Sequence, residues 1–262
     1  MSDTVRFFRE TLPLHRTASG AAYELDVWTY AHPQATQRVY LQGGLHGIEL
    51  TGIPVLHEFM REIEERQLPL HCICAPQSNP MGLDSQIMGQ QVGYNNLHTN
   101  QQNCWNWNRI GQLRDEPSQE GRWIRTLLDL SAAADVVLDL HTAGGENTPH
   151  VYAHLSQIEQ AQGLGVPHVL AWEAHSTSFS DTCQARGQVA LTFELSASRS
   201  VTQADIDRGL NALRRFFGIL PKTEDSRIWQ IRTQLKKWYA PEPGILCWRV
   251  AAGTEVRAGE PI

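Results

Sequence analysis

One nearly continuous apolar stretch constrains the fold of this chain more than any other feature. DVVLDLH at 135–141 carries valine and leucine side chains on both faces of a strand. Strands that are apolar on both faces belong to parallel sheets whose two faces are covered by helices. The stretch therefore predicts an α/β protein with a buried strand at this point.

The segments around it alternate between strand-like and helix-like patterns. Runs rich in β-branched and aromatic residues predict strands, and apolar residues at helical spacing predict helices. The predicted strands are 22–30, 36–44, 68–76, 150–155, 166–172 and 188–196, and the predicted helices are 49–66, 122–133 and 203–220. This order predicts a mixed, mostly parallel sheet flanked by helices. The irregular stretch from 77 to 116 is long enough to indicate a functional loop.

The last part of the chain has a different character. Turn residues recur every few positions after Trp229, and no helical period is present. We therefore predict a main domain at 1–224 and a small all-β module at 225–262. The module resembles half of a biotinyl- or lipoyl-type fold, but no lysine follows Lys237 to carry a prosthetic group. We expect the natural protein to continue past residue 262, because the module needs partner strands.

Charge and composition exclude several classes of protein. The 262-residue chain has a formal net charge of −6 and no basic stripe, which argues against a nucleic-acid partner. No apolar run is long enough to span a membrane, and the N-terminus lacks the apolar core of a secretory signal. The five cysteines are scattered, as in reduced cytoplasmic proteins. HCIC at 71–74 alternates like a buried strand rather than a metal cluster. The scattered cysteines and the lack of a secretory signal predict a cytoplasmic protein.

A metal site is suggested by two separate parts of the chain. GGLHGIELTG places His46 and Glu49 just after a predicted strand, where both side chains can converge on one point. His141 ends the strand at 135–141, and ligands of open α/β sheets bind at the carboxyl ends of strands. A catalytic zinc ion takes three protein ligands and keeps one open position. Asp139 shares the strand face of His141 and is placed to support a ligand.

Glu194 is a carboxylate within the apolar strand VALTFELS. Burial of a charged side chain is costly unless the side chain is paired or functional. Taken alone, Glu194 is better explained by a structural salt bridge, and His141 by a hydrogen-bonded histidine at the end of a strand.

Five motifs in order make the chain resemble the zinc carboxypeptidase superfamily, and most closely its succinylglutamate desuccinylase/aspartoacylase branch. The motifs are GGLHGIELTG, NPMG (79–82), NWNR (106–109), LDLHTA (138–143) and LTFELS (191–196). The resemblance covers residues 36–200, and the C-terminal segment resembles the β-module that ends many members of the branch. It implies a zinc carboxypeptidase-like fold and hydrolysis of a small N-acyl amino acid.

The resemblance also implies roles for particular residues. His46, Glu49 and His141 would bind one zinc ion per chain, and Glu194 would activate water. Asn108 and Arg109 match the pair that binds the substrate carboxylate in this family. Arginine suits that role because its planar guanidinium group can bind a carboxylate through two hydrogen bonds.

The sequence departs from the family at one position. The family has a further arginine before its Asn-Arg pair, whereas Gln101 stands near that place and no arginine lies between Arg66 and Arg109. Arg186 is a candidate for the missing positive charge. If nothing replaces it, we expect a preference for neutral acyl groups such as acetyl over succinyl.

Three alternatives remain open on the sequence. The chain could be a carboxypeptidase that acts on peptides, an inactive metal-binding relative, or a binding or carrier module. Assays with acyl amino acids and with peptides separate the first, and zinc binding without turnover would indicate the second. The sequence does not decide whether the protein is a homo-oligomer.

Overall fold

The computed structural model describes residues 4–96, 105–110, 114–143, 148–173, 176–196, 200–222, 230–232, 249–252 and 254–260. Within these ranges, no helix has both the length and the apolar character needed to cross a membrane. The strands of the main sheet are β1 (Arg6–Arg16), β2 (Ala22–Ala31), β3 (Gln37–Gly43), β4 (Leu70–Ala75), β9 (Val136–Thr142), β10 (His150–His154), β11 (His168–Trp172), β12 (Val189–Leu195) and β13 (Gln230–Arg232).

Two short hairpins lie between β4 and β9 in the chain. They consist of β5 (Gln86–Ile87) with β6 (Gln90–Gln91), and β7 (Asn95–Asn96) with β8 (Trp105–Asn106). Both fall within the stretch that the sequence predicted to be irregular and functional.

The main sheet is mixed, with a parallel centre. Its strand order is β1-β2-β4-β3-β9-β12-β10-β11-β13. The four central strands β4, β3, β9 and β12 are mutually parallel, β2 pairs antiparallel with β4, and β10 pairs antiparallel with β12. The predicted mixed, mostly parallel α/β sheet is therefore confirmed.

Helices cover both faces of the sheet. They are α1 (Gly52–Glu65), α2 (Pro80–Leu83), α3 (Gln119–Ser131), α4 (Ile158–Gln162), α5 (Phe179–Gln184) and α6 (Gln203–Phe216). Alternation along β9 divides the core, because Leu138 and Leu140 pack with α1 and α6 whereas Val137 packs with α3 and α5. Asp139 and His141 continue the alternation on the Val137 face, so that face carries the ionisable side chains of β9.

The structure adds one long strand that the sequence did not reveal. Strand β1 forms an edge of the sheet, and most of its side chains are exposed. Because a solvated edge strand needs no apolar stripe, β1 lacks the pattern by which strands are recognised in sequence.

The predicted C-terminal module lies largely outside the described residues. Residues 230–232 within it form β13, which pairs parallel with β11 and so extends the main sheet. The described residues at 249–252 and 254–260 contain neither helix nor strand. The division at 224/225 stays a prediction.

Candidate metal centre

The candidate centre lies at the carboxyl ends of β3, β9 and β12. His46 and Glu49 occupy the loop between β3 and α1, and His141 is the second-last residue of β9. The parallel pairing of β3 with β9 brings these two chain segments together. In the structure, the three residues proposed as ligands from the sequence therefore lie next to one another.

Close backbone packing holds the loop that carries His46. Gly44 has a φ of +67°, a conformation that glycine adopts without strain. A Cβ atom on Gly47 would lie 1.8 Å from the carbonyl oxygen of Gly82, so no larger residue fits there without movement. The Asn79 side chain of the NPMG motif donates a 2.8 Å hydrogen bond to the carbonyl oxygen of Leu45. Thus two of the motifs hold one loop in place.

Three potential donor atoms converge at this point. The Nδ1 atom of His46 lies 2.9 Å from Oε1 of Glu49, and Nδ1 of His141 lies 2.8 Å from Oε2 of Glu49. The two Nδ1 atoms are 3.2 Å apart. All three residues are buried, with exposed fractions of 4%, 5% and 2% for His46, Glu49 and His141. Among the described residues, this His–Glu–His group has the arrangement of a metal site.

The outer nitrogens of both imidazole rings contact hydrogen-bond acceptors. Nε2 of His141 lies 2.8 Å from Oδ2 of Asp139, and Nε2 of His46 lies 3.0 Å from Oδ1 of Asn106. The backbone N–H of Asn108 also donates to that Asn106 atom, which identifies it as the amide oxygen. Each Nε2 therefore carries a hydrogen, which leaves Nδ1 of each ring directed at the Glu49 carboxylate as the nitrogen that would ligate a metal.

This donor set fits a zinc ion. Ligand atoms about 2.0–2.2 Å from a tetrahedral zinc ion lie about 3.3–3.6 Å from one another. The separations here, 2.8 to 3.2 Å, are slightly shorter, so a small outward movement of the side chains would admit the ion. Two imidazole nitrogens with one carboxylate are also a known ligand set of catalytic zinc. The same ligand atoms would also suit other first-row transition metals.

The carboxylate and imidazole groups of the centre each stabilise the charged form of the other. Burial raises the pKa of Glu49, but the neighbouring His141 and His46 lower it to about 2. Burial lowers the pKa of His141, but the carboxylates of Asp139 and Glu49 raise it well above the ordinary value. These two carboxylates therefore favour the protonated form of the His141 imidazole, and binding of a metal ion would release a proton from the centre.

Glu194 lies beside this group on the neighbouring strand. The register of β12 on β9 places Glu194 opposite His141. Its Oε2 atom is buried and has no hydrogen-bond partner among the residues that the structure describes. Burial, together with the nearby carboxylates of Glu49 and Asp139, raises the pKa of Glu194 to about 7, although His141 opposes the shift. Such a carboxyl group can both take and return a proton near neutral pH.

A cavity of about 480 Å³ opens in front of the centre. Its lining includes His46, His141, Glu194, Asn108, Arg109, Tyr94, Tyr152, Trp172, Ser178 and Thr192. It is open to solvent and has the size of a small-molecule site.

The two substrate-binding candidates of the NWNR motif differ in their surroundings. Arg109 is exposed at the cavity, and its guanidinium group donates a 2.9 Å hydrogen bond to the carbonyl oxygen of Asn108. Asn108 is buried, its Oδ1 accepts a 2.8 Å hydrogen bond from the backbone N–H of Phe179, and its Nδ2 lies 3.5 Å from Nε2 of His141. Arg109 is thus available to a ligand, whereas Asn108 mainly joins the NWNR turn to α5 and the centre.

The other two proposed substrate-binding residues, Arg186 and Gln101, are not among the described residues that line the cavity. Arg186 is exposed and donates a 3.0 Å hydrogen bond to the carbonyl oxygen of Leu128, away from the lining residues. Gln101 lies outside the described residues, so its predicted role stays a prediction.

Sequence reasoning also missed residues that contact the centre. Asn106 belongs to the quoted NWNR motif, yet its contact with His46 was not foreseen. Tyr94 stacks on the His46 ring at 4.2 Å between ring centres. An aromatic residue in a polar loop was the only sequence signal for Tyr94.

Taken together, fold and centre define an α/β protein with a His–Glu–His group that can hold a metal ion at the carboxyl ends of parallel strands. The sequence matches the family described as the succinylglutamate desuccinylase/aspartoacylase catalytic domain over residues 35–220. The chain belongs to this family, whose members are deacylases. No curated protein sequence shows a significant match to the chain.

Solved structures with related folds carry corresponding names. A protein of Shewanella frigidimarina described by the same family name has a TM-score of 0.82 at 20% identity, covering 98% of this chain and 85% of its own. A succinylglutamate desuccinylase/aspartoacylase of Rhodobacter sphaeroides has a TM-score of 0.73 at 20% identity, with coverages of 99% and 82%. The ectoine utilization protein EutE (DoeB) of Ruegeria pomeroyi, solved with product, has a TM-score of 0.66 at 16% identity, with coverages of 86% and 71%. At these identities the likeness establishes the fold.

Proposed function

We propose that the chain is a zinc-dependent deacylase that hydrolyses the amide bond of a small N-acyl amino acid. One observation carries the proposal: the Nδ1 atoms of His46 and His141 and the carboxylate of Glu49 converge, while both Nε2 atoms are bound to acceptors. The family supports acyl transfer to water as the reaction. The cavity in front of the centre supports a small substrate.

Zinc bound by these three residues would supply Lewis acidity for an attacking water and for the scissile carbonyl group. Glu194 is proposed to take the proton of the attacking water and to return it to the departing amine. Its buried Oε2 atom, which has no hydrogen-bond partner within the described part of the chain, and its raised pKa support this role. Its position opposite His141 supports a role beside the proposed metal ligands.

Arg109 is proposed to orient the substrate by binding its carboxylate, which holds the scissile bond near Glu194. Its place in the cavity lining supports this assignment. Asn108 is proposed to contribute by holding the turn that presents Arg109.

We expect Arg109→Leu to lower kcat/KM by about 10- to 100-fold for substrates with a free carboxylate, because a charge-assisted hydrogen bond contributes about 1.5–3 kcal/mol. The amides of the same substrates should lose much less. The measurement is kcat/KM for each acyl amino acid and its amide in the variant and the unmodified protein. Arg186→Leu is the matched control and should leave both values unchanged. Equal losses on charged and neutral substrates would show that Arg109 has only a structural role.

The proposed function is tested by metal analysis followed by a substrate panel. We expect one zinc ion per chain and hydrolysis of N-acyl amino acids, with little release of residues from the C-termini of peptides. The panel should contain N-acetyl and N-succinyl forms of the same amino acids. Gln101 stands near the place where the family has an arginine, so acetyl substrates should be preferred, and Gln101→Arg should shift the preference towards succinyl. Zinc binding with no turnover on the whole panel would instead identify an inactive relative.

A further inference from the structure

A buried series of hydrogen bonds extends behind the metal centre into the sheet. The hydroxyl group of Tyr40 donates to Oε1 of Gln42 at 3.0 Å. The Nε2 atom of Gln42 donates to Oδ1 of Asp139 at 2.9 Å, and Oδ2 of Asp139 accepts from Nε2 of His141 at 2.8 Å. Tyr40, Gln42 and Asp139 are all fully buried. We call these three residues the Tyr40–Asp139 series.

Strand register accounts for the series. Tyr40 and Gln42 alternate on the face of β3 that faces α3 and α5, and Asp139 and His141 alternate on the same face of β9. Parallel pairing sets Gln42 opposite Asp139. A shift of one residue in this register would turn Gln42 to the other face of the sheet and break the series.

The chemistry of the partners fixes the orientation of the Gln42 amide. A carboxylate can only accept hydrogen bonds, so the NH₂ group of Gln42 must face Asp139. The amide oxygen then faces the hydroxyl group of Tyr40, which can donate to it. Each oxygen of Asp139 thus has a donor: Gln42 for Oδ1 and His141 for Oδ2.

We propose that Gln42 is a positioning residue for the metal centre, supported by Tyr40. It holds the Asp139 carboxylate in the rotation that accepts Nε2–H of His141, and thereby keeps Nδ1 of His141 directed at Glu49. The inference rests on the proposed metal site but not on the identity of the substrate. Partners beyond the ligands matter because they orient the ring and raise its strength as a ligand.

A purely structural role makes a different prediction. If a buried glutamine only formed hydrogen bonds with neighbouring polar groups, its replacement would lower the free energy of unfolding. The replacement would leave the metal affinity unchanged. Gln188 provides such a case, since it is buried and its amide donates to the backbone carbonyl oxygens of Ser131 and Ala134. Gln188 immediately precedes β12, whereas Glu194 lies near the opposite end of that strand.

The experiment compares Gln42→Leu with Gln188→Leu, using the zinc Kd measured by competition with a chromogenic chelator and the thermal unfolding of both metal-free proteins. We expect Gln42→Leu to weaken zinc binding by about tenfold or more. Gln188→Leu should lower the melting temperature and leave the zinc Kd unchanged. An unchanged Kd in Gln42→Leu, or an equal loss of affinity in both variants, would overturn the proposal.

A second variant covers the case in which Gln42→Leu does not fold. Gln42→Asn keeps a carboxamide but withdraws it from Asp139 by one methylene group, so zinc affinity should again fall. Full affinity in a folded Gln42→Asn protein would overturn the proposal. Failure of the unmodified protein to bind zinc would overturn the metal site itself, whereas zinc binding without deacylation would contradict only the proposed reaction.

Discussion

The Glu194→Gln variant is expected to bind zinc at full stoichiometry and to hydrolyse its substrate about 10²–10⁴-fold more slowly, which is the usual contribution of a general acid–base group. The substitution keeps the shape of the side chain and removes its capacity to accept a proton. KM should change little, because Glu194 is proposed to act on water rather than to hold the substrate. The measurements are zinc content, kcat and KM.

Glu49→Gln makes the same chemical change at a ligand and serves as the comparison. It should lose zinc together with activity, because Glu49 contacts both histidines. If Glu194→Gln lost its zinc as Glu49→Gln is expected to do, Glu194 would be a ligand and the assigned mechanism would be wrong.

The His46→Ala variant should lose both bound zinc and measurable deacylation. Only Glu49 and His141 would remain as ligands, whereas a catalytic zinc site needs three protein ligands. Activity should not return on addition of excess zinc at concentrations that saturate the unmodified protein. Zinc content by elemental analysis and turnover on the best substrate provide the test.

His57→Ala is the matched control for His46→Ala. His57 packs against Trp28 with ring centres 4.5 Å apart, on α1 and outside the cavity. Its replacement should leave the zinc content and kcat unchanged. Full zinc occupancy in His46→Ala would remove the basis for the ligand assignment.

Much of the fold could be predicted because its central strands are buried on both faces. Strands β3, β9 and β12 correspond to apolar runs, and α1 and α6 carry apolar residues at helical spacing. Strand β1 could not be predicted, because an exposed edge strand carries little apolar pattern. The order of the strands in the sheet also could not be predicted, since it depends on contacts between segments that are distant in sequence.

The ligand residues could be proposed because each lies at or just after the carboxyl end of a strand and belongs to one of the five motifs. The contacts around them could not, because they depend on register. Nothing in the sequence indicates that Gln42 lies opposite Asp139, or that Asn106 contacts His46. Arg186 was proposed from its charge alone, and the direction in which a side chain points is not encoded by residue type.

The fixed orientation of the His46 and His141 rings affects which metal ions the centre can bind. Nε2 of His141 is hydrogen-bonded to Asp139, and Nε2 of His46 is hydrogen-bonded to Asn106. The two Nδ1 atoms therefore cannot move far apart without breaking those hydrogen bonds. Calcium needs six to eight oxygen ligands at about 2.3–2.6 Å, and a fixed pair of nitrogens with one carboxylate can neither expand nor supply them. Magnesium prefers oxygen ligands and keeps much of its water. A group with these ligand atoms is therefore expected to favour transition-metal ions over the abundant alkaline-earth cations.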